Sequence, residues 1–166
     1  MYFPRLLIPM APLLCGLLDF AISLGLLGVM MAGYMMAGYS VVPGWAVLTL
    51  PLWIVLALMT SLAVGLWLSA LNAVYRDVQY TLPLLAQVWL FVTPVAYPSS
   101  IVPERWRVLY GINPMAGVVD GFRWALLRSD PPDGAMLLVS VLSVAALLVG
   151  GLFWFRRMER TFADLV

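Results

Sequence analysis

A single run without any charged side chain extends from Phe20 to Tyr75, and it restricts the fold more than any other feature of the sequence. Two further charge-free runs follow, at Val78–Pro103 and Gly134–Phe155. A helix of roughly 20 apolar residues crosses the hydrocarbon core of a bilayer, which is about 30 Å thick. Only 10% of the residues are charged and 64% are hydrophobic, whereas a soluble domain carries about 25% charged residues. The sequence therefore predicts an integral membrane protein.

Breaks in the apolar runs predict four membrane spans within one transmembrane domain that covers residues 1–166. A Gly-, Tyr- and Pro-rich stretch at 33–44 marks a turn at a membrane interface. The predicted fold is all-α, with spans at about 7–33, 46–70, 81–98 and 135–155. Pro83 and Pro98 bound the third span, and Pro94 is expected to kink it and free a carbonyl near Leu90.

The segment between the last two spans predicts two short helices within about 103–127. Pro103 suits the first position of a helix, and Gly111 suits its end. Asn113-Pro114 then supplies an N-cap and a first helical residue for a second helix that ends near Leu127. Both pieces are too short to cross and too apolar to lie free in water, so we expect re-entrant or interfacial helices on the outer side. They either cap the bundle passively or form a gate over an exit path.

Several polar side chains fall within the predicted spans. A mid-membrane carboxylate costs about 2.5–3.5 kcal/mol, so Asp19 in the first span is a functional-site candidate. It either has a structural role, paired with an Arg of a neighbouring helix or protonated in a helix–helix seam, or it belongs to a transport path. In the third span, Gln87 and Thr93 could satisfy freed backbone groups or line a wet path. The aromatic residues Trp89 and Tyr97 of this span are further candidates for the transport path or gate. In the second span, small residues recur every four positions and predict close helix packing: Ala57, Ser61, Gly65 and Ser69.

The second outer helix carries a predicted ion pair. Asp120 and Arg123 are three residues apart and therefore share one helix face, and Trp124 beside them is expected to anchor the helix at the interface. We expect this pair to matter for transport, whereas Asp130 and Asp133 in the following turn are expected to be nearly silent.

Enzymatic chemistry is not indicated. The sequence has no His and one Cys, and it contains no nucleophile–base pair, no phosphate-binding Gly loop and no cluster of metal ligands. We therefore predict no catalytic residue, no metal site and no cofactor on this chain. The net charge of +1 gives no indication of nucleic-acid binding.

Residues 68–127 resemble the second half of type 2 ABC exporter permeases. Three signatures carry the resemblance: Asn72 followed by Tyr75-Arg76-Asp77, the turn Pro94–Pro98, and Asn113-Pro114-Met115 followed by Gly121-Phe122-Arg123. The opening Tyr2–Arg5 is similar to the cytoplasmic segment that precedes the third helix of this family. Within the family, the sequence is most similar to permeases that export polysaccharides such as O-antigen and teichoic acid.

The resemblance implies a homodimeric permease that works with a cytoplasmic ABC ATPase, which binds ATP and Mg, and that moves a lipid-linked glycan outward across the bacterial cytoplasmic membrane. It places Tyr75, Arg76 and Asp77 in the cytoplasm and 101–127 at an outer gate. Basic residues behind the aromatic Phe153–Phe155 also predict cytoplasmic termini. The alternatives are a permease for a drug or lipo-oligosaccharide and a membrane scaffold without transport activity. Because the family's first two spans have no counterpart, we expect a truncated gene, a misassigned start or a fragment.

Overall fold

The computed structural model describes residues 7–39, 44–75 and 77–163, in which all regular structure is helical. Arg76 and Tyr2–Arg5, both named by the sequence analysis, lie outside the described residues. In chain order the helices are α1 (Leu7–Met36), α2 (Leu50–Val74), α3 (Val78–Val92), α4 (Glu104–Tyr110), α5 (Pro114–Leu127) and α6 (Gly134–Ala163). A 3₁₀ helix at Trp45–Thr49 leads into α2, and another at Ser99–Ile101 precedes α4.

Three helical segments among the described residues are long and apolar enough to cross a membrane: Leu14–Met36, Trp45–Asn72 and Gly134–Arg157. They correspond to the first, second and fourth predicted spans, which are confirmed as long apolar helices. The third is different, because α3 has only 15 residues and is therefore roughly 22 Å long. The structure thus supports three spans and one shorter apolar helix.

Two expectations about α3 are wrong, and both concern proline. Pro83 lies inside the helix instead of at its boundary. Pro94 does not kink the helix, because the helix has already ended at Val92. Thr93 is extended, with φ −88° and ψ 139°, which is the conformation that the residue before a proline prefers. The proline therefore terminates α3 and begins an irregular turn over 93–98.

The packed centre of the fold lies between α2, α5 and α6. Its buried apolar residues are Trp53, Leu56, Val118, Ala125 and Val144. Half of the 14 residues of α5 are buried, so this short helix is a core element and not a helix that only rests on the bundle surface, as the interfacial interpretation implied. Close packing of α5 depends on small residues, since a side chain at Gly121 would overlap Trp53 and one at Gly117 would meet Ser140.

Helices α2 and α6 run side by side in the same direction. The Trp67 indole of α2 donates to the carbonyl of Leu147 at 2.9 Å and stacks on Trp154 at a ring distance of 5.6 Å. Gly150 and Gly151 of α6 make room for that indole. The face of α2 that packs in this way holds Trp53, Leu56, Thr60, Ala63, Leu66 and Ala70, all of them buried.

The small-residue stripe of α2 is not this packing face. Ser61 is exposed, and a side chain built at Gly65 meets nothing within 4 Å. Ala57 is the member that packs against the core cluster, while the Ser69 hydroxyl donates to the carbonyl of Leu66 in its own helix. Within this chain, the expectation of close helix packing is therefore wrong for Ser61 and Gly65, whereas Ala57 does pack. The four-residue spacing did not reveal the packing face, because that face combines large residues such as Trp53 and Leu66 with small ones such as Ala63 and Ala70.

The bundle has two distinct ends. At one end, which we call the α5 end, α1 and α3 finish, α2 and α6 begin, and the loops pack on α5. Trp45 contacts Trp124 edge-on there at a ring distance of 5.4 Å, and Gly44 lies beside the Arg128 side chain. Tyr75 and Asp77 lie between α2 and α3 at the opposite end, where both are exposed. Tyr75 and Asp77 are thus separated from the 101–127 region in the fold, as predicted.

Candidate functional site

The end of α3 creates a demand for hydrogen-bond donors. The last carbonyls of a helix have no partner within the helix, and irregular backbone at membrane depth must be satisfied by protein groups or by a water-filled cavity. The turn 93–98 adds further free carbonyls at the same place. Side chains of the turn itself, of α4 and of α5 meet this demand. Together with the residue that caps α5, which contacts the Thr93 hydroxyl, they form an extended polar cluster.

Arg123 of α5 satisfies two of these carbonyls. Its Nη1 donates to the Tyr97 carbonyl and its Nη2 to the Val95 carbonyl, both at 2.9 Å. A guanidinium group presents its N–H donors in a fixed planar fork, which suits two carbonyls of one tight turn. Arg123 thereby joins the turn after α3 to the middle of α5.

Two tyrosines satisfy the last turn of α3. The Tyr110 hydroxyl lies 2.5 Å from the Val92 carbonyl, and the Tyr97 hydroxyl lies 3.0 Å from the Phe91 carbonyl. The two hydroxyls also contact each other. Each hydroxyl carries one proton, so two protons serve three short contacts. The pKa of Tyr110 is raised well above its ordinary value, mainly because the hydroxyl is partly buried and to a smaller extent because of its contact with Tyr97.

Asn113 connects α5 to the same turn. Its side-chain oxygen accepts from the Met115 N–H at 3.2 Å and caps α5, as the sequence predicts. Its amide nitrogen donates to the Thr93 hydroxyl at 3.0 Å, and both residues are buried. We refer to the five residues that hold the end of α3 in this way as the polar clamp: Thr93, Tyr97, Tyr110, Asn113 and Arg123.

The predicted pairing of Asp120 with Arg123 is also present. The Asp120 Oδ1 atom lies 3.7 Å from Arg123 Nη1, and the side chains are 11% and 23% exposed, respectively. This separation is longer than that of a charge-assisted hydrogen bond. Asp120 therefore balances the charge of Arg123, while the carbonyls of the turn set its position.

A polar recess of about 350 Å³ adjoins the clamp at the α5 end. Its polar lining residues are Ser99, Arg107, Asp120, Arg123, Ser129, Asp130 and Asp133, and its apolar ones are Pro98, Pro131, Pro132 and Met136. Asp130 and Asp133 thus lie in the same recess as the Asp120–Arg123 pair and are not separate from it. Asp133 also caps α6, since its Oδ1 accepts from the Ala135 N–H at 3.0 Å. The structure thus gives Asp133 a part in starting α6, while the expectation that export does not depend on Asp130 and Asp133 stays a prediction.

The structure brings together only some of the predicted site residues. Thr93, Tyr97, Asp120 and Arg123 converge, and Trp124 lies beside them against Trp45. Gln87 and Trp89 are exposed on α3.

Asp19 is exposed on α1 and forms no ion pair with any described residue. The Asp19 backbone carbonyl accepts from the Ser23 hydroxyl at 2.9 Å. Its expected pairing with an Arg of a neighbouring helix is therefore absent from the described part of the chain.

Sequence reasoning missed Tyr110 and the second partner of Asn113. Both contact residues about 20 positions away, Val92 and Thr93 respectively, and no local spacing encodes such a contact. The cluster offers no nucleophile with a base. Among the described residues, no group of three or more His, Cys, Asp and Glu side chains is arranged to hold a metal ion. The arrangement is suited to positioning helices and to polar contact with a ligand.

Residues 13–127 match the family of ABC-2 type transporters. The chain belongs to this family. The matched segment of this ABC-2 type transporter chain contains α2 to α5 and most of α1, and thus the whole polar clamp.

Curated relatives agree with this assignment. The ABC-2 chain is 30% identical over 161 residues to the O-antigen export system permease protein RfbA of Myxococcus xanthus, covering 95% of the chain and 60% of that relative. It is 24% identical over 164 residues to the protein of the same name from Klebsiella pneumoniae, covering 99% of the chain and 61% of the relative. The chain thus spans about three-fifths of the length of these relatives.

Proposed function

We propose that this chain is part of the permease subunit of an ATP-driven exporter that moves a lipid-linked polysaccharide outward across the bacterial cytoplasmic membrane. The observation that carries the proposal is the similarity, over nearly the whole chain, to two permeases named for O-antigen export. The three long apolar helices support a membrane role. Energy comes from a separate cytoplasmic ABC ATPase that binds ATP and Mg, and the permease acts as a homodimer.

The polar clamp supports a gating role for α4 and α5. It fixes the end of α3 through side chains of both segments, so a movement of α5 must displace that end or break its hydrogen bonds. In this proposal the α5 end faces outward, and opening of the exit path moves α5 relative to α3. The glycan leaves beside the clamp.

Deletion of the gene in its source bacterium tests the export function. We expect loss of the surface polysaccharide together with accumulation of the lipid-linked glycan inside the cell, and recovery of both when the gene is restored. A strain that keeps the gene but carries an inactive ATPase partner is expected to show the same accumulation of lipid-linked glycan. Normal surface polysaccharide in the deletion strain, with no internal accumulation, would contradict the proposal and favour a permease for another substrate or a scaffold.

Thiol labelling in intact cells tests the orientation. The chain's one cysteine, Cys15, is first changed to Ser, and a new cysteine is placed either at Asp77 or at Asp130, which are exposed at opposite ends of the bundle. An impermeant maleimide is expected to label Asp130→Cys and to leave Asp77→Cys unlabelled until the cells are opened. The reverse pattern would place the α5 end and the clamp in the cytoplasm.

A further inference from the structure

The recess beside the polar clamp has a lining that restricts what it binds. Three carboxylates, those of Asp120, Asp130 and Asp133, stand against the two guanidinium groups of Arg107 and Arg123. Arg123 already donates to two carbonyls and lies beside Asp120. Arg107 donates its Nε–H to the Val102 carbonyl and keeps its other donors, but three carboxylates against two guanidinium groups give the lining a net negative charge, which repels a phosphate group.

A bound cation fits the recess no better. Asp120 belongs to α5 while Asp130 and Asp133 belong to the segment between α5 and α6, and Asp133 uses one oxygen to cap α6. No group of three or more His, Cys, Asp and Glu side chains in the described structure is arranged for metal binding. A neutral ligand with many hydroxyl groups is the class that remains, because carboxylates accept hydrogen bonds from hydroxyls while guanidinium groups donate to them.

Size and surface agree with such a ligand. A volume of about 350 Å³ lies at the small end of the range of roughly 300–1,000 Å³ for small-molecule sites. Pro98, Pro131, Pro132 and Met136 give the recess an apolar wall on which the C–H face of a sugar ring can lie. From these features we infer that the recess is a saccharide subsite that holds one or two neutral sugar units of the exported glycan. This inference rests on the proposed export function and adds the place where the glycan contacts the permease.

The position of the recess gives this contact a consequence. Asp120 and Arg123 belong to its wall, and Arg123 holds the turn after α3. A sugar in the recess therefore touches the same side chains that hold the end of α3 against α5. Passage of successive sugar units alters the surroundings of the clamp without requiring a separate sensor.

Protection of an introduced thiol tests the subsite. The complete gene product with its ATPase partner is placed in nanodiscs, with Cys15→Ser and Ser129→Cys, because Ser129 is exposed and lines the recess. Neutral oligosaccharides hydrolysed from the surface polysaccharide of the source bacterium are the first probe. Titration to about ten times the half-saturating concentration is expected to slow maleimide labelling roughly tenfold, because only the unoccupied fraction reacts.

Matched variants and probes make the result specific. A cysteine at Tyr39, which is exposed and does not line the recess, is expected to label at the same rate with and without saccharide. Asp130→Ala is expected to raise the half-saturating concentration about tenfold, as loss of one charge-assisted hydrogen bond does, whereas Asp77→Ala at the opposite end leaves it unchanged.

Two outcomes would overturn the inference. The first is absence of protection by saccharides at their highest soluble concentration, and the second is protection by inorganic phosphate or pyrophosphate in their place. The gene-deletion experiment stays separate from this measurement. Loss of surface polysaccharide on gene deletion, without thiol protection by saccharides, would reject the subsite alone. Thiol protection combined with normal surface polysaccharide in the deletion strain would reject the proposed function.

Discussion

The indole ring of Trp53 lies directly against the backbone of Gly121. A β-carbon at position 121 would overlap several atoms of the ring, and the ring cannot withdraw easily because Trp53 is 2% exposed. Its Nε1 atom also donates to the Thr49 hydroxyl at 2.9 Å. This contact seats α5 between α2 and α6.

Gly121→Ala is therefore expected to destabilise the fold. Overpacking a well-filled core costs about 1–3 kcal/mol, and the added methyl group forces either Trp53 or α5 to move. Thermal unfolding in detergent measures the effect. Gly65→Ala is the matched control, because Gly65 is also helical and has open space around it. Equal unfolding temperatures for the two variants would show that α5 does not seat in this way.

Arg123→Lys is expected to loosen the turn after α3. A lysine ammonium keeps the charge but cannot reproduce the planar fork that reaches the carbonyls of Val95 and Tyr97. We expect a loss of about 1.5–3 kcal/mol, the range for one hydrogen bond to a charged group, because the second bond is exposed. Faster hydrogen exchange of amides in 93–98 measures it. Arg105→Lys, at an exposed position, is the control and leaves exchange unchanged.

Transport is expected to depend on the same pair. Arg123→Ala and Asp120→Ala in the complete permease should reduce surface polysaccharide while membrane insertion stays normal. The effect of Arg123→Ala is expected to be the larger, because Arg123 holds the turn directly while Asp120 lies 3.7 Å from Arg123. Normal surface polysaccharide in both variants would mean that the pair, and the end of α5 that carries it, has only a structural role.

Asp133→Ala is expected to destabilise the start of α6. Loss of an N-cap costs about 0.5–2 kcal/mol, and the Asp133 carboxylate accepts from the Ala135 N–H. Asp133→Asn keeps an oxygen acceptor and is expected to be almost neutral, which separates capping from charge. The midpoint of thermal unfolding distinguishes the variants. If Asn and Ala lower it equally, the charge of Asp133 and not its cap supports the helix.

Alkaline pH is expected to weaken the clamp through Tyr110. Its pKa is raised in the folded protein, first by burial and then by Tyr97, so the folded state holds the proton more tightly than the unfolded state. Stability is therefore complete below the unfolded pKa of about 10 and falls as the pH rises beyond it. In Tyr110→Phe, the free energy of unfolding is expected to fall with a smaller slope between pH 8 and pH 11 than in the unchanged protein. Tyr80→Phe, at an exposed position, should retain the full slope.

Local signals in the sequence located most helix boundaries. Asn113 and Pro114 begin α5, and Gly111 follows the end of α4, as their side-chain chemistry predicts. The prolines of α3 were harder, because Pro83 lies in its second turn while Pro94 follows its end. A proline restricts its own backbone and that of its predecessor, but the helix around it survives or ends according to contacts that the spacing does not contain.

Only part of the candidate site could be predicted from the sequence, for the same reason. The Asp120–Arg123 pair follows from three-residue spacing on one helix. The carbonyls that Arg123 holds are 26 and 28 residues away, and their availability depends on where α3 ends. The packing face of α2 was also missed, since the pattern of small residues predicted one face while Trp53, Leu56 and Leu66 fill another.

Helix α3 is attached almost entirely at its extremities. None of its 15 residues, all of them described, is buried, and the polar clamp holds its far end. A rigid helix of roughly 22 Å that is held mainly at its two ends can transmit a displacement along its axis, while few contacts oppose a sideways movement. We therefore expect a displacement applied beside Asp77 at one end of α3 to reach Thr93 and Tyr97 at the other. The hydrogen bonds of Arg123 and Tyr110 connect that end to α4 and α5. If they stay intact, the displacement moves α4 and α5, and if they break, it does not.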